Sequence, residues 1–145
     1  MHSLPLANAV PENEDREKIA LQARRKFSGA LANDTKWNEL IVYVRGLGYK
    51  PSYRSKWVSG HISGWDTEWC YHLPFPFVGV EWFDLGLHGE ARTGRLLAPK
   101  VIDYSPTMLG KLKEIGFDFE YREGFARIWG YYPKSYEDFP PGRRA

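Results

Sequence analysis

The sequence has one cysteine, Cys70, and lacks any apolar run close to the roughly 20 residues that a membrane-spanning helix requires. A disulfide within the chain is therefore impossible, and no membrane-spanning helix is predicted. The apolar residues 4–10 are interrupted by Pro5, follow no basic stretch and are too few for a signal peptide. These absences predict a cytoplasmic protein that does not enter a membrane.

An excess of one charge is absent as well. The 20 Lys and Arg residues nearly balance the 18 Asp and Glu residues, which leaves a net charge of +2. No segment concentrates basic residues into a stripe that could follow a phosphate backbone, so nucleic acid is not the predicted partner. Complete chemical motifs are also missing: residues 46–48 and 86–89 lack the third Gly and the Lys of a phosphate loop, and residues 60–64 do not form a nucleophile elbow.

Aromatic residues, in contrast, are abundant and make up 16% of the 145 residues. Trp, Tyr and Phe suit a small core and a recognition surface equally well, so their abundance does not choose between the two. The length, with 43% hydrophobic and 26% charged residues, is typical of one globular domain.

Three helices are predicted from apolar residues spaced three or four apart. The first begins in the acidic run that starts at residue 12, the second begins at the cap Asp34 or Thr35 and ends at Gly46, and the third begins at Ser105 and ends at Gly116. Their predicted buried faces are, in order, Ile19, Ala23 and Phe27; Trp37, Leu40, Ile41 and Val44; and Met108, Leu109, Leu112 and Ile115. We expect the second and third faces to pack together against a sheet.

Five short strands are predicted from aromatic and β-branched segments bounded by Gly and Pro, at residues 53–58, 68–73, 77–87, 117–122 and 125–132. The turn at residues 123–124 makes a hairpin of the last two. The order helix, helix, three strands, helix and two-stranded hairpin predicts an α+β fold with an antiparallel sheet of about five strands. The predicted boundaries are a disordered tail at residues 1–11, a single domain at 12–133 and a C-terminal tail at 134–145.

Polar and aromatic residues are densest in residues 53–72, with a further pair at 81–82. If the first three strands form a meander, these residues lie close together. Since Trp, Tyr and Arg are enriched at the hot spots of protein interfaces, this cluster predicts a contact surface. The candidate binding residues are Arg54, Trp57, His61, Trp65, Asp66, Glu68 and Glu81.

Two other functions remain open for the same cluster. In a small hydrolase, Asp66 and Glu68 would act as paired carboxylates with His72, although an Asp between Gly and Thr usually makes hydrogen bonds within its own turn. In a binder of single-stranded nucleic acid, bases would stack on the rings of Trp57, Trp65 or Trp69. Binding that depends strongly on salt concentration would identify the nucleic-acid binder.

Metal and cofactor sites are not predicted. Three histidines and a cysteine supply the ligand types that zinc prefers, but their spacings match no common zinc pattern. These residues are His61, His72, His88 and Cys70. No cofactor motif is present, so we expect the chain to work without either group.

The motifs in this order resemble a family of small bacterial proteins known as a domain of unknown function. Residues 36–40 resemble its K-W-x-x-L motif, residues 53–56 its W-R-x-K motif, residues 63–72 its S-x-W-D-x-E-W-x-Y-H motif and residues 80–82 its I-E-W motif. Tyr53 stands where the family often has Trp, and residues 90–104 resemble an insertion. The resemblance implies the fold over about residues 35–132 and a loose similarity to immunity proteins, and it implies no activity.

The sequence therefore favours a non-enzymatic protein-binding domain, in its most specific form an immunity-type inhibitor of a bacterial toxin. The partner is predicted to be another protein, and the oligomeric state is not fixed. A core strand would not hold carboxylates and a histidine between aromatic rings, since buried polar groups need partners. We expect Trp69 and Tyr71 to point into the core, and Trp65, Asp66 and Arg54 to meet solvent or each other.

Overall fold

The computed structural model describes residues 3–91, 94, 96 and 98–142. The helices are α1 (Arg16–Lys26), α2 (Asp34–Arg45) and α3 (Ser105–Ile115). The strands are β1 (Gly29–Ala30), β2 (Tyr53–Trp57), β3 (Val80–Gly86), β4 (His88–Ala91), β5 (Lys100–Asp103), β6 (Phe119–Arg122), β7 (Phe125–Trp129) and β8 (Tyr131–Tyr132). A short 3-10 helix, Phe77–Gly79, precedes β3. The predicted α+β class is confirmed, with antiparallel strand pairs throughout the described residues.

The main sheet has four antiparallel strands in the order β2, β3, β7, β6. Because side chains alternate along a strand, its two faces have different compositions. The face that carries Phe83 and Leu85 packs against α2 and α3, and we call it the core face. The opposite side we call the outer face, and its residues are Arg54, Lys56, Trp82, Asp84, Glu120, Arg122, Phe125, Arg127 and Trp129.

The core face is apolar, and its packing confirms the predicted buried faces of α2 and α3. One hydrophobic cluster joins the two helices to the sheet, and Trp37 stands at its centre with its ring 5.0 Å from Phe117 and 5.1 Å from Phe77. Its fully buried members include Leu40, Ile41, Val44, Phe83, Leu85, Leu112 and Ile128. Leu109 and Ile115 are partly buried against the same cluster.

The helix ends follow local hydrogen bonds and differ from the predicted ends by a few residues. Helix α2 is capped by Asn33, whose side chain accepts the Lys36 N–H, and not by the predicted Asp34 or Thr35. Helix α1 begins at Arg16, later than predicted, because Asp15 caps it. Helix α3 ends as predicted at Gly116, whose φ of 92° lies in the left-handed region that favours glycine.

The strand predicted at residues 68–73 is wrong. The carboxylate of Glu68 accepts backbone N–H groups from the following residues and closes a turn there. Residues 61–66 instead run beside β2, where Tyr53 pairs with Asp66 and Lys56 pairs with Ile62. The edge of β2 is thus covered by an irregular segment and the predicted meander does not form.

A second hairpin lies at the insertion expected at residues 90–104. Strands β4 and β5 form a separate two-stranded sheet in which His88 pairs with Asp103. Part of the loop between them, including Arg92 and Arg95, lies outside the described residues. None of the described helices is long and apolar enough to cross a membrane.

Both predicted tails contact the domain, so the packed region extends beyond residues 12–133. Ala7 is fully buried, and its N–H donates to Asn38 Oδ1 at 2.7 Å. At the other end Phe139 is buried against Trp82 and Trp129 of the outer face. We call residues 134–142 the C-terminal segment. The exact domain boundaries stay a prediction.

Candidate binding surface

The turn at residues 66–72 is built around the carboxylate of Glu68. Its oxygens accept the N–H groups of Cys70 at 2.5 Å and of Tyr71 and His72 at 2.8 Å each. Partial burial would raise the pKa of Glu68, but these hydrogen bonds outweigh it and lower the pKa below its usual value. Glu68 therefore stays ionised and holds the turn closed.

Asp66 fixes the start of the same turn. Its Oδ1 accepts the N–H groups of Glu68 at 2.9 Å and Thr67 at 2.7 Å, and its Oδ2 lies 3.0 Å from His72 Nδ1. The hydrogen bond from the Glu68 N–H lowers the pKa of Asp66 the most, despite some desolvation, and the side chain of His72 lowers it further. The hydrogen bonds within its own turn that the Gly and Thr neighbours suggested are present.

Three contacts attach this turn to the rest of the domain. Trp69 is 2% exposed, as predicted, and its Nε1 donates to the Pro51 carbonyl at 2.8 Å. The Tyr53 hydroxyl donates to the carbonyl of Glu68 at 2.5 Å, and Arg45 Nε donates to the carbonyl of Trp69 at 2.8 Å. Burial raises the pKa of Tyr53, which keeps its hydroxyl a donor. These hydrogen bonds fix the turn on the domain, and we call residues 65–72 the platform.

Two aromatic side chains stand exposed on this platform. Trp65 is 48% exposed, and its indole lies 5.1 Å from the Arg54 guanidinium and 5.8 Å, edge to face, from the ring of Phe125. Tyr71 is 67% exposed, so the prediction that it points into the core is wrong. Its backbone belongs to the Glu68 turn and not to a strand, and alternation therefore does not apply to it. We call Trp65, Asp66, Tyr71 and His72 the aromatic rim.

Arg54 links the aromatic rim to the outer face. Its Nε donates to Asp84 Oδ2 at 2.9 Å, and the guanidinium stands between the rings of Trp65 and Trp82. Asp84 is fully buried and also receives two hydrogen bonds from the fully buried Arg127, at 2.8 and 3.0 Å. Two arginines thus share one carboxylate, which explains how these charges are buried.

Only part of the predicted cluster comes together. Arg54, Trp65, Asp66 and Glu68 lie at one end of β2, whereas Trp57, His61 and Glu81 lie at its other end. Glu81 is buried, with its carboxylate 3.6 Å from Lys56 Nζ. Trp57 is partly buried against Gly79. His61 is exposed, and its carbonyl accepts the Trp57 N–H.

Sequence reasoning missed Asp84 and Arg127, which define the outer face. Each is a charged residue inside a largely apolar strand, and such a residue requires a partner when it is buried. The sequence therefore shows that Asp84 and Arg127 each need a partner. It does not show that they are each other's partner, because 43 residues separate the two.

Among the residues that the structure describes, no three His, Cys, Asp or Glu side chains are placed to hold a metal ion. His72 contacts Asp66, and His88 Nε2 lies 3.7 Å from Asp103 Oδ1. The expectation that the chain works without a metal stays a prediction.

The fold and the surface define a small α+β domain with a rigid rim of aromatic and charged residues. The chain belongs to a family of unknown function, DUF6678, which matches residues 19–135. The match spans the aromatic rim and all four strands of the main sheet and ends inside the C-terminal segment. Searches of curated proteins and of solved structures gave no match.

Proposed function

We propose that the chain is a cytoplasmic, non-enzymatic protein-binding domain and that the aromatic rim is its contact surface. The exposed indole of Trp65 is the observation that carries this proposal. Arg54 and Phe125 hold that ring in place before any partner arrives, so little conformational entropy is lost when it is buried. Trp, Tyr and Arg are the residues enriched at interface hot spots, and Trp65 stands against Arg54 while Tyr71 is exposed on the neighbouring turn.

The electrostatics of the turn argue against the hydrolase hypothesis. A general acid needs a raised pKa, and a general base must be free to take a proton. The pKa values of both Asp66 and Glu68 are lowered, and their oxygens are engaged by backbone N–H groups. The two carboxylates are better explained as parts of the platform.

The burial of the tryptophans argues against the nucleic-acid hypothesis. Proteins that bind single strands stack successive bases on several accessible rings. Of the three candidate rings, Trp69 is buried and Trp57 is mostly covered, which leaves Trp65 as the exposed one. A single exposed indole fits one anchor in a protein interface better.

The most specific form of the proposal is an immunity-type inhibitor of a bacterial toxin. It rests on the small size of the domain and on the loose similarity of such families to immunity proteins. A preformed surface suits an inhibitor, because binding is tighter when little conformational entropy is lost on forming the complex. The neighbouring gene is the first candidate for the partner.

Photocrosslinking tests the proposed surface. A photoreactive phenylalanine placed at residue 71, and separately at residue 42, would be activated in host cells and the adducts identified. Both positions are exposed, Tyr71 at 67% and Val42 at 59%, but Val42 lies on α2 over the core face. We expect one specific protein adduct from position 71 and none from position 42. Equal patterns from both positions would contradict the proposal.

A further inference from the structure

The C-terminal segment is attached to the outer face in the way a bound peptide is. The donors are side chains of the sheet and the acceptors are backbone carbonyls of the segment: Arg54 donates to Asp138 at 3.0 Å and Arg122 to Pro140 at 2.5 Å. Arg127 donates to Ser135 and Glu137, and the Trp129 indole also donates to Ser135. Among the described residues no backbone–backbone hydrogen bond joins the segment to the sheet.

Side chains of the segment add further contacts: Lys134 pairs with Asp118, the Tyr136 hydroxyl donates to Glu120, and Phe139 and Glu137 contact the outer face. The ring of Phe139 is 7% exposed and lies 5.4 Å from Phe125, with the Arg122 guanidinium 4.1 Å above it. The carboxylate of Glu137 lies 2.5 Å from Lys56 Nζ, although Glu137 itself is 46% exposed. The outer face therefore holds a phenylalanine and the carboxylate of a glutamate two residues before it.

Charge complementarity explains why such a segment fits. The outer face holds the cations Arg54, Lys56, Arg122 and Arg127, and Asp84 is already shared between two of them. The C-terminal segment brings the Glu137 carboxylate to Lys56, while Asp138 meets Arg54 through its backbone carbonyl. The family match ends at residue 135, so it includes the four cations but not these two acidic residues or Phe139.

With the C-terminal segment in place, one buried hydrogen-bond donor of the outer face has no acceptor among the described residues. The indole Nε1 of Trp82 is buried and has no hydrogen-bond partner among the described residues. Buried donors without acceptors are costly. A different segment that offered an acceptor to Trp82 would gain a hydrogen bond that the chain's own segment does not make.

We propose that the outer face is a peptide-binding site for an extended acidic segment of a partner protein that carries Phe directly after Glu-Asp. The C-terminal segment occupies this site as an intramolecular ligand and gives way to the partner. The inference goes beyond the aromatic rim, since its ligand and its contacts are different. It does not depend on Trp65 binding anything.

A labelled peptide with the sequence of residues 133–142 tests the site on the full chain. The chain's own segment competes at an effective concentration on the order of millimolar, so binding to the unmodified chain will be weak. The Phe139→Ala chain loses its own anchor while keeping the face. We expect it to bind the peptide about tenfold more tightly, by fluorescence anisotropy, and a peptide lacking the phenylalanine to bind about tenfold more weakly.

Two further chains complete the experiment. Glu137→Gln keeps Phe139 and alters an exposed side chain, so it will fold and raise peptide affinity about two- to threefold. Val42→Ala, on the helix side, will leave peptide affinity unchanged. If the Phe139→Ala chain is unfolded by circular dichroism, the Glu137→Gln result decides.

Three results would overturn the proposal. The first is a folded Phe139→Ala chain with no gain in affinity, and the second is a Glu137→Gln chain with no gain. The third is a dimer of the unmodified chain in light scattering that the peptide dissociates. That dimer would assign the site to the C-terminal segment of a second copy and not to a partner protein.

Discussion

The two faces of the main sheet are both buried, but different forces hold their layers together. On the core face, α2 and α3 cover Phe83 and Leu85 with apolar side chains. On the outer face, the C-terminal segment covers Asp84 and Arg127, which are bound to each other through two hydrogen bonds. Hydrophobic packing tolerates neighbours of similar size, whereas a buried charge tolerates only a matching partner.

The layers on the two faces also differ in how readily another segment could take their place. A helix that buries a continuous apolar stripe cannot leave without exposing it to water. On the outer face the segment is held mainly by side-chain donors on its carbonyls and by the rings of Tyr136 and Phe139. We therefore propose that another segment of the same chemistry can replace it, and that binding takes place on the outer face and the aromatic rim.

The largest loss of stability is expected from Asp84→Ala. It leaves the fully buried guanidinium of Arg127 without its carboxylate and also frees Arg54, and breaking such a buried pair costs about 3–5 kcal/mol. Urea unfolding of this variant and of Asp84→Leu/Arg127→Met would be compared. The double variant should be the more stable of the two, since it removes both fully buried charges and leaves only Arg54, whose side chain is partly exposed. A loss under about 1 kcal/mol for Asp84→Ala would mean that the pair is not buried.

A similar but purely apolar loss is expected on the core face. Leu112 and Leu40 are fully buried, and replacing either by Ala should cost about 2–5 kcal/mol. The measurement is urea unfolding of each variant beside the unmodified chain. A loss of stability below this range at both positions would show that the helices do not bury the core face of the sheet.

A smaller effect is expected from Glu68→Gln in the turn. The lowered pKa values of Glu68 and Asp66 mean that their stabilising contribution is present above their ordinary values of 4.5 and 3.8 and is lost as the pH falls through the lower folded values. The variant should lose about 1–2 kcal/mol at pH 7, and its difference from the unmodified chain should shrink toward pH 3. Glu39→Gln, an exposed change on α2, is the control and should leave the stability at pH 7 unchanged.

The sequence predicts the core face well and the outer face poorly, for a physical reason. Helix periodicity identified Leu40, Ile41 and Leu112 because hydrophobic burial depends on local spacing. The Glu68 turn was missed because the residues alternate like a strand, and only the hydrogen bonds of one carboxylate show otherwise. The pairing of Arg127 with Asp84 could be predicted only by knowing that β3 and β7 are neighbours in the sheet. Spacing along the chain does not give that information.

The candidate surface was half predicted. Trp65, Asp66 and Arg54 were expected to meet solvent or each other, and they do. Asp66 turned out to bind two backbone N–H groups, so Asp66→Ala is expected to disturb the turn and is not a clean test of binding. Trp65 is the better residue, because its contacts are made by an exposed ring.

The most direct test of the account compares thermal melting with partner affinity for Trp65→Ala, using the partner identified by crosslinking. Trp65 contributes about 1 kcal/mol or less to stability, since half of its ring is exposed, so the cooperative melt should be almost unchanged. Affinity for the partner should fall about tenfold or more, as it does at interface hot spots. Tyr121→Ala removes a similarly exposed ring on β6, at 58%, and should leave both quantities unchanged. If Trp65→Ala unfolds the chain, or leaves affinity unchanged, the aromatic rim is part of the fold and not a binding surface.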